Sequence, residues 1–380
     1  MLSDRYPSRI GVIDIARFYA IALVFYGHFI EEFMLLKNPA AADQYRFVYS
    51  FHMVLFIVIA GTVAKSSEVD WRLGTFLKHR FFSRLLPFCF FTLVMMVPPI
   101  FFDGKLFGLE LPSMAGYLKG LLNTAFGLPF FCVPSWFLLL IIGVELVHYC
   151  AFRYLRSSDR RLLLAALAFY LIGYIINLKL DIFNPLKGRT IGWNYFFIHE
   201  AITLYAFYLI GIYLRRRRFL IDRPPGLILG IGAGAAFIAV VLTYRLNNGP
   251  FNFPPYRAVV ILFASHGHIL WFPLTALAGC GLIFLLARLT PNTRALNWLG
   301  QNTLILMCLN GIFYHYINAP VAKWSLATLP HSGPTIFVIG CLMTVVSLAA
   351  LMPLVYALNR WVPQLVGKPK VKGPFFRNWI

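Results

Sequence analysis

Charge is scarce in this chain, and negative charge scarcest: 14 Asp and Glu stand against 34 Lys and Arg in 380 residues, and charged side chains make up only 13%. A soluble domain of this length carries about twice that share, so a water-borne globular fold is excluded. Cysteine is sparse too. The six (Cys89, Cys132, Cys150, Cys280, Cys308, Cys341) are scattered with no CxxC spacing, which speaks against a disulfide framework and a zinc site; no metal is expected. There is no internal repeat, no low-complexity tract and no polar stretch long enough for a soluble domain. A cleavable leader is not expected either, because the first apolar run is long enough to span a bilayer and no small-residue cleavage site follows it.

What the chain has is apolar surface, with 59% hydrophobic residues and a mean hydropathy of +0.72. Apolar runs of bilayer length, roughly 17 to 25 residues, fall near 10–30, 46–64, 82–102, 129–150, 162–178, 192–214, 226–243, 260–287, 298–318 and 335–357. The pattern predicts an all-α polytopic integral membrane bundle of about ten transmembrane helices. The weakest span is the eighth, where Ser265-His266-Gly267-His268 and Pro273 interrupt it; part of 250–268 is expected to be an outer-face or re-entrant piece.

Positive residues stay on the cytoplasmic side, which orients the bundle. With the N-terminus inside, the inner segments hold 23 Lys and Arg and the outer segments 10, and both termini are cytoplasmic. The inner count includes Arg5 and Arg9, the 215–218 arginine run and a basic tail at 361–380, which follows a single membrane domain over 1–360. The formal charge of +20 is therefore mostly an inner rim facing lipid headgroups and cytosol, and nucleic acid binding is the poorer explanation.

Arg17 and His28 lie eleven residues apart in the first run. At about 100° per residue, eleven steps end about 20° past three turns, so both side chains leave one face about 16 Å apart. Asp14 falls within about 60° of that face and can pair with the guanidinium. Alone, an Arg near a helix end snorkels to the interface; with an anion and an imidazole on the same stripe, the face must turn toward protein or water. His52, in Phe51-His52-Met53, sits about seven residues below the outer surface, near the depth of His28, and the two imidazoles are expected to share a cavity. Lys78, Arg80 and Arg84 enter the third span from the inner side, a cluster suited to a multi-anionic ligand. Trp136 opens the fourth span at the outer face, His199-Glu200 lie in the sixth, and Gly300-Gln301-Asn302-Thr303-Leu304 opens the ninth.

Taken in order, these stretches resemble the acyltransferase 3 family of multi-pass membrane acyltransferases that O-acetylate glycans. The resemblance rests on Asp14, Arg17 and His28, on Ser50 to Gly61, on Lys78-x-x-Phe81-x-x-Arg84, on Trp136-Phe137-Leu138 and on Gly300 to Leu304. Val54 and Ala60 replace the Pro and Ser usual in the second motif, and Asn310 stands where members commonly carry a His. Within the family, the His52 form looks most like the sugar O-acetylase branch related to fucose and nodulation-factor acetylation. The resemblance implies a transmembrane acyltransferase of the cell (inner) membrane that moves an acetyl group from cytoplasmic acetyl-CoA to a hydroxyl of a surface or secreted glycan or its lipid-linked saccharide precursor.

In that reading Arg17, Lys78, Arg80 and Arg84 bind the CoA phosphates at the inner face. His28 is the general base or the carrier of an acyl-histidine, and Asp14 orients Arg17. His52 or Trp136 serves the oxyanion, and Trp136, His199 and Glu200 face the acceptor. The polar face of the first helix is expected to line one continuous path between the two membrane faces. A transporter or flippase of a glycan or small anion, and a non-catalytic scaffold, are the competing classes.

Overall fold

The computed structural model describes residues 11–102, 114–180, 195–219, 225–249 and 258–379. Arg5, Arg9, Asn184, the start of the 192–214 run and residues 250–257 lie outside the described residues.

The described residues form helices and no strand beyond one isolated bridge, Val260 to Ser265. In chain order the helices are α1 (Gly11–Leu35), α2 (Pro39–Tyr49), α3 (His52–Thr62), α4 (Leu73–Arg80), α5 (Leu86–Met95), α6 (Met114–Ala125), α7 (Trp136–Leu155) and α8 (Asp159–Leu180). They continue with α9 (Ile198–Arg216), α10 (Gly226–Thr243), α11 (Trp271–Leu289), α12 (Arg294–Gln301), α13 (Thr303–Ile312), α14 (Asn318–Thr328) and α15 (Gly333–Trp361). Nine stretches of the described residues are long and apolar enough to cross a membrane. Several are compound. The span Pro39–Thr62 joins α2 and α3 across a break at Phe51, whose φ of −147° and ψ of −21° leave the helical region.

The run of the sequence outside these nine is the sixth, 192–214, whose described part holds α9, a 19-residue helix that does not qualify by composition. Its environment explains why: α9 packs against α3, α7 and α8, and its middle residues, from Thr203 to Leu209, are all buried. A helix enclosed by protein need not present an apolar surface to lipid. At Gly61 of α3 a Cβ would come within 2.1 Å of the Tyr208 carbonyl oxygen, so only glycine lets these two backbones approach so closely.

The interruption foreseen in the eighth run is real. Helix α11 begins only at Trp271, with Pro273 in its first turn, where proline costs no hydrogen bond. Residues 258–270 hold one short turn, Ile261–Phe263. His268 Nδ1 accepts from the backbone N–H groups of Leu270 and Trp271 at 3.1 and 3.4 Å, capping α11, while His266 is fully buried and stacked on Phe272.

Helix α1 is the hub. It touches α2, α3, α11, α12, α13, α14 and α15, so its polar stripe meets protein along its whole length. That placement resolves the conflict between a charged stripe and a bilayer.

Candidate functional site

At the inner end of α1, Asp14 is bonded from two sides. Its Oδ1 lies 3.4 Å from Arg17 Nη1, and its Oδ2 accepts from Gln301 Nε2 at 2.9 Å. The Gln301 contact requires α12 to lie close on α1. A Cβ at Gly300 would meet the Asp14 carbonyl oxygen at 1.8 Å, which gives the glycine of the late motif its physical reason. Next to it, Asn302 Oδ1 accepts from Asn359 Nδ2 and from Lys368 Nζ, both at 2.8 Å.

The basic segment is folded by a π-helical turn, Phe81–Leu85, inserted between α4 and α5; such turns recur at functional sites. Arg80 is buried at 6% exposure and bridges two carboxylates, Glu68 and Glu145, the latter at 3.1 Å, with its guanidinium 4.7 Å from the Phe76 ring. Arg84 reaches the other oxygen of Glu145 at 3.3 Å and keeps 28% of its side chain exposed. These residues surround a cavity of about 450 Å³ lined by the cations Arg17, Lys65, Arg80, Arg84 and Lys368 and the carboxylates Glu68 and Glu145. Its volume is that of a cofactor cleft. Lys78, grouped with these cations in the sequence, is exposed on α4 and does not line the cavity. The charge of Arg80 is matched inside the protein, so its place is in the scaffold of the cavity rather than among groups held open for an anion.

Toward the outer face lies a second, much smaller cavity of about 40 Å³, lined by His28, Glu31, Tyr49, His52, Trp136 and Tyr314, and by Val260–Phe263 from the irregular segment. His28 Nδ1 lies 2.5 Å from Asn310 Oδ1. An amide oxygen only accepts, so Nδ1 carries the proton and Nε2 is the basic nitrogen. His52 Nδ1 donates to the Val48 carbonyl at 3.0 Å, which makes its Nε2 an acceptor as well. Neutral His52 therefore cannot supply the hydrogen bond an oxyanion needs, a correction to the expectation that it serves that role. Of the two candidates, Trp136 retains a donor, its indole N–H.

Glu31 ties the cavity together. Its carboxylate accepts from Tyr49 Oη at 3.2 Å and from Tyr314 Oη at 3.3 Å, and Tyr314 packs on the His28 ring at 4.8 Å. Tyr314 projects from a second π-helical turn, Phe313–Ile317, so each cavity is served by a π turn. In the same turn, His315 Nε2 accepts from the Val133 N–H at 3.3 Å, anchoring the segment that leads into Trp136. The sequence reading missed Glu31. Its signal was its position three residues after His28, one turn along the same stripe.

His199 and Glu200 line neither cavity. Glu200 is fully buried in α9 and His199 is partly so; the nearest link to the site is Phe197, whose ring lies 5.5 Å from that of Trp136. They stand behind the wall and not in it. Along α1 the described residues line two distinct cavities, the inner one at Arg17 and the outer one at His28. They adjoin at neighbouring positions, Met53 and Phe56 on α3 and Trp136 and Phe137 on α7, and the Phe56 and Phe137 rings pack at 5.5 Å where the two meet.

No curated protein and no solved structure matches the chain. The family described as Acyltransferase domain matches residues 10–352, a range that contains Arg17, the basic segment, both π turns and every residue lining the outer cavity. A match over most of the chain decides among enzyme, transporter and scaffold: the chain belongs to the acyltransferase 3 family and is a multi-pass membrane acyltransferase.

Proposed function

We propose that the protein transfers an acetyl group from acetyl-CoA, entering from the cytoplasm, to a hydroxyl of a surface or secreted glycan or its lipid-linked precursor at the cell (inner) membrane. The observation that carries the reading is the His28–Asn310 bond, which fixes a basic Nε2 in a buried pocket next to a cation-lined cavity. CoA is polyanionic, and Arg17, Arg84 and Lys65 around the large cavity suit its phosphates.

In this mechanism His28 Nε2 takes the proton of the acceptor hydroxyl as the oxygen attacks the thioester carbon. The tetrahedral oxyanion is met by a donor such as the Trp136 indole N–H. The C–S bond then breaks, and the leaving thiolate takes the proton from the imidazolium. General-base assistance of this kind contributes about 10²–10⁴-fold. The separation of the two cavities favours a stepwise variant, in which His28 first accepts the acetyl group through Nε2 from the inner side and then yields it to the hydroxyl from the outer side. The outer cavity, at about 40 Å³, is far smaller than a sugar ring, so this reading has the acceptor present its hydroxyl at the cavity rather than enter it whole.

His28→Ala removes the base. Acetyl-CoA consumption by the purified protein should fall at least about 100-fold with the thermal unfolding transition retained. A variant keeping more than about a tenth of wild-type turnover excludes His28 from the chemistry. Loss of the chain from the cell should remove an O-acetyl ester from its polysaccharides, which identifies the acceptor.

A further inference from the structure

Past α15 the chain does not trail away from the bundle. Gln364 is fully buried and its Nε2 donates to the carbonyls of Val371, Phe376 and Arg377 at 2.7, 2.8 and 3.3 Å. The Trp379 N–H donates to the Pro369 carbonyl at 2.9 Å, which closes 369–379 into a loop. Trp379 packs on Phe82 at 5.2 Å and seats the loop beside the basic segment, while Val366 and Gly367 at its start form part of the wall of the large inner cavity. These residues lie beyond the matched family range, which ends at 352, so membership assigns them no role.

The side chains that this segment leaves in the open are of two kinds. Arg360, Lys370, Lys372 and Arg377 are exposed cations, and none of them makes a hydrogen bond or ion pair among the described residues. No Asp or Glu occurs anywhere in residues 223–380, so the segment brings no carboxylate of its own to answer them. Beside them stands an exposed aromatic pair, Trp361 at 51% and Phe375 at 67% exposure, with ring centres 5.8 Å apart. Helix α15 sets the depth of that pair. It is a membrane-crossing helix that exposes Leu342, Val345, Val346 and Tyr356 along its length, and Trp361 is its last residue. The aromatic pair thus lies where the lipid-facing surface ends, with the cations just beyond it. That is the level of the headgroups, where aromatic rings settle at the edge of the hydrocarbon and Lys and Arg meet lipid phosphates. Charge complementarity selects the occupant, because the cytoplasmic leaflet is the anionic one and the distribution of Lys and Arg puts this loop on that side.

We propose that the C-terminal loop is a binding surface for anionic phospholipid of the inner leaflet. Lys370, Lys372 and Arg377 hold the phosphates, and Trp361 with Phe375 seats in the boundary between headgroups and acyl chains. The surface is independent of which acyl group the enzyme moves. Because the same segment supplies Val366 and Gly367 to the cavity wall, lipid held on the loop also holds that wall.

The test follows amide hydrogen exchange of residues 366–379 in the purified full chain, reconstituted in nanodiscs of phosphatidylcholine alone or with phosphatidylglycerol. Exchange should be slower by at least about tenfold in the anionic discs, and the difference should shrink as salt is raised. Combined Lys370→Gln, Lys372→Gln and Arg377→Gln should remove the difference. Arg160→Gln with Arg161→Gln, which removes two exposed cations of α8 instead, should keep it. Phe375→Ser should lower the protection in both kinds of disc, and full protection in that variant overturns the aromatic contact. All of these positions are exposed, and an unaltered melting transition in detergent separates a lost lipid contact from a folding defect. Equal exchange of the unaltered protein in the two discs overturns the proposal, as does a difference that survives the triple substitution. Glycerol phosphate added to phosphatidylcholine discs should protect nothing; protection matching that of phosphatidylglycerol would give the cations to a soluble phosphate and overturn the lipid assignment.

Discussion

Arg80 and Arg84, four positions apart in one basic segment, have different tasks, and the difference lies in their partners. Arg80 satisfies Glu68 and Glu145 in a buried site, whereas Arg84 shares only Glu145 and stays partly open to the cavity. Removing one member of a buried ion network leaves uncompensated charge, at a cost of about 3–5 kcal/mol. Arg80→Ala should therefore lower thermal stability sharply, read as the unfolding transition in detergent. Arg84→Ala should leave that transition nearly unchanged and weaken CoA binding instead; the opposite pattern would reverse the assignment of the two residues. This distinction was not legible in the sequence, because Glu68 and Glu145 are 12 and 65 positions from Arg80 and nothing local marks them as its partners. His28 and His52 were more legible, because helical register and depth below the membrane surface are local properties and bring both to one cavity. Asn310 was visible only as a missing histidine. Its oxygen is what sets the tautomer of His28.

At the scale of elements, the contact between α12 and α1 is the tightest link in the inner site, because Gly300 puts the α12 backbone against the Asp14 carbonyl. A methyl group there has 1.8 Å where a normal contact needs more than 3 Å, and the obstacle is backbone, which cannot rotate away. Gly300→Ala should push α12 off α1, break the Gln301–Asp14 bond and release Arg17. The expected result is activity lost by at least tenfold alongside reduced yield of folded protein; wild-type turnover in Gly300→Ala would show that the contact is not needed. Hydrophobic run length located α10 and α15 to within about four residues, and α1 and α7 less closely, α1 running on to Leu35 and α7 lying over Trp136–Leu155 against a run at 129–150. It could not locate the break between α2 and α3, since neither Ser50 nor Phe51 is a helix breaker by type. The cause is tertiary: Phe51 fills the space left by Gly279 of α11, where an added Cβ would lie 2.1 Å from the phenyl ring. The late start of α11 was legible, from the cluster of Ser, His, Gly and Pro.

At the scale of the molecule, the orientation of the bundle can be tested with single cysteines on a background lacking the exposed Cys89 and Cys150. An impermeant thiol reagent outside the cell should label cysteine placed at Asn248 or His331 and spare it at Ser157 or Lys372, all exposed positions. Asn38, between α1 and α2, is unsuitable because it is buried, with Oδ1 accepting from the Ala41 N–H at 3.0 Å. Labelling at Ser157 from outside would invert the bundle and put the cation-lined cavity on the wrong face for a cytoplasmic donor. Two cavities meeting at the Phe56 and Phe137 rings have a further consequence, which concerns the membrane and not the chemistry. A passage wide enough for a pantetheine arm and open at both ends would also admit water and ions, and each charge crossing 100 mV gains about 2.3 kcal/mol. In the proposed stepwise transfer, the acyl group passes from chamber to chamber as a neutral fragment while the charged carrier stays on the inner side, so that transfer would be electrically silent and would leave the membrane potential undischarged.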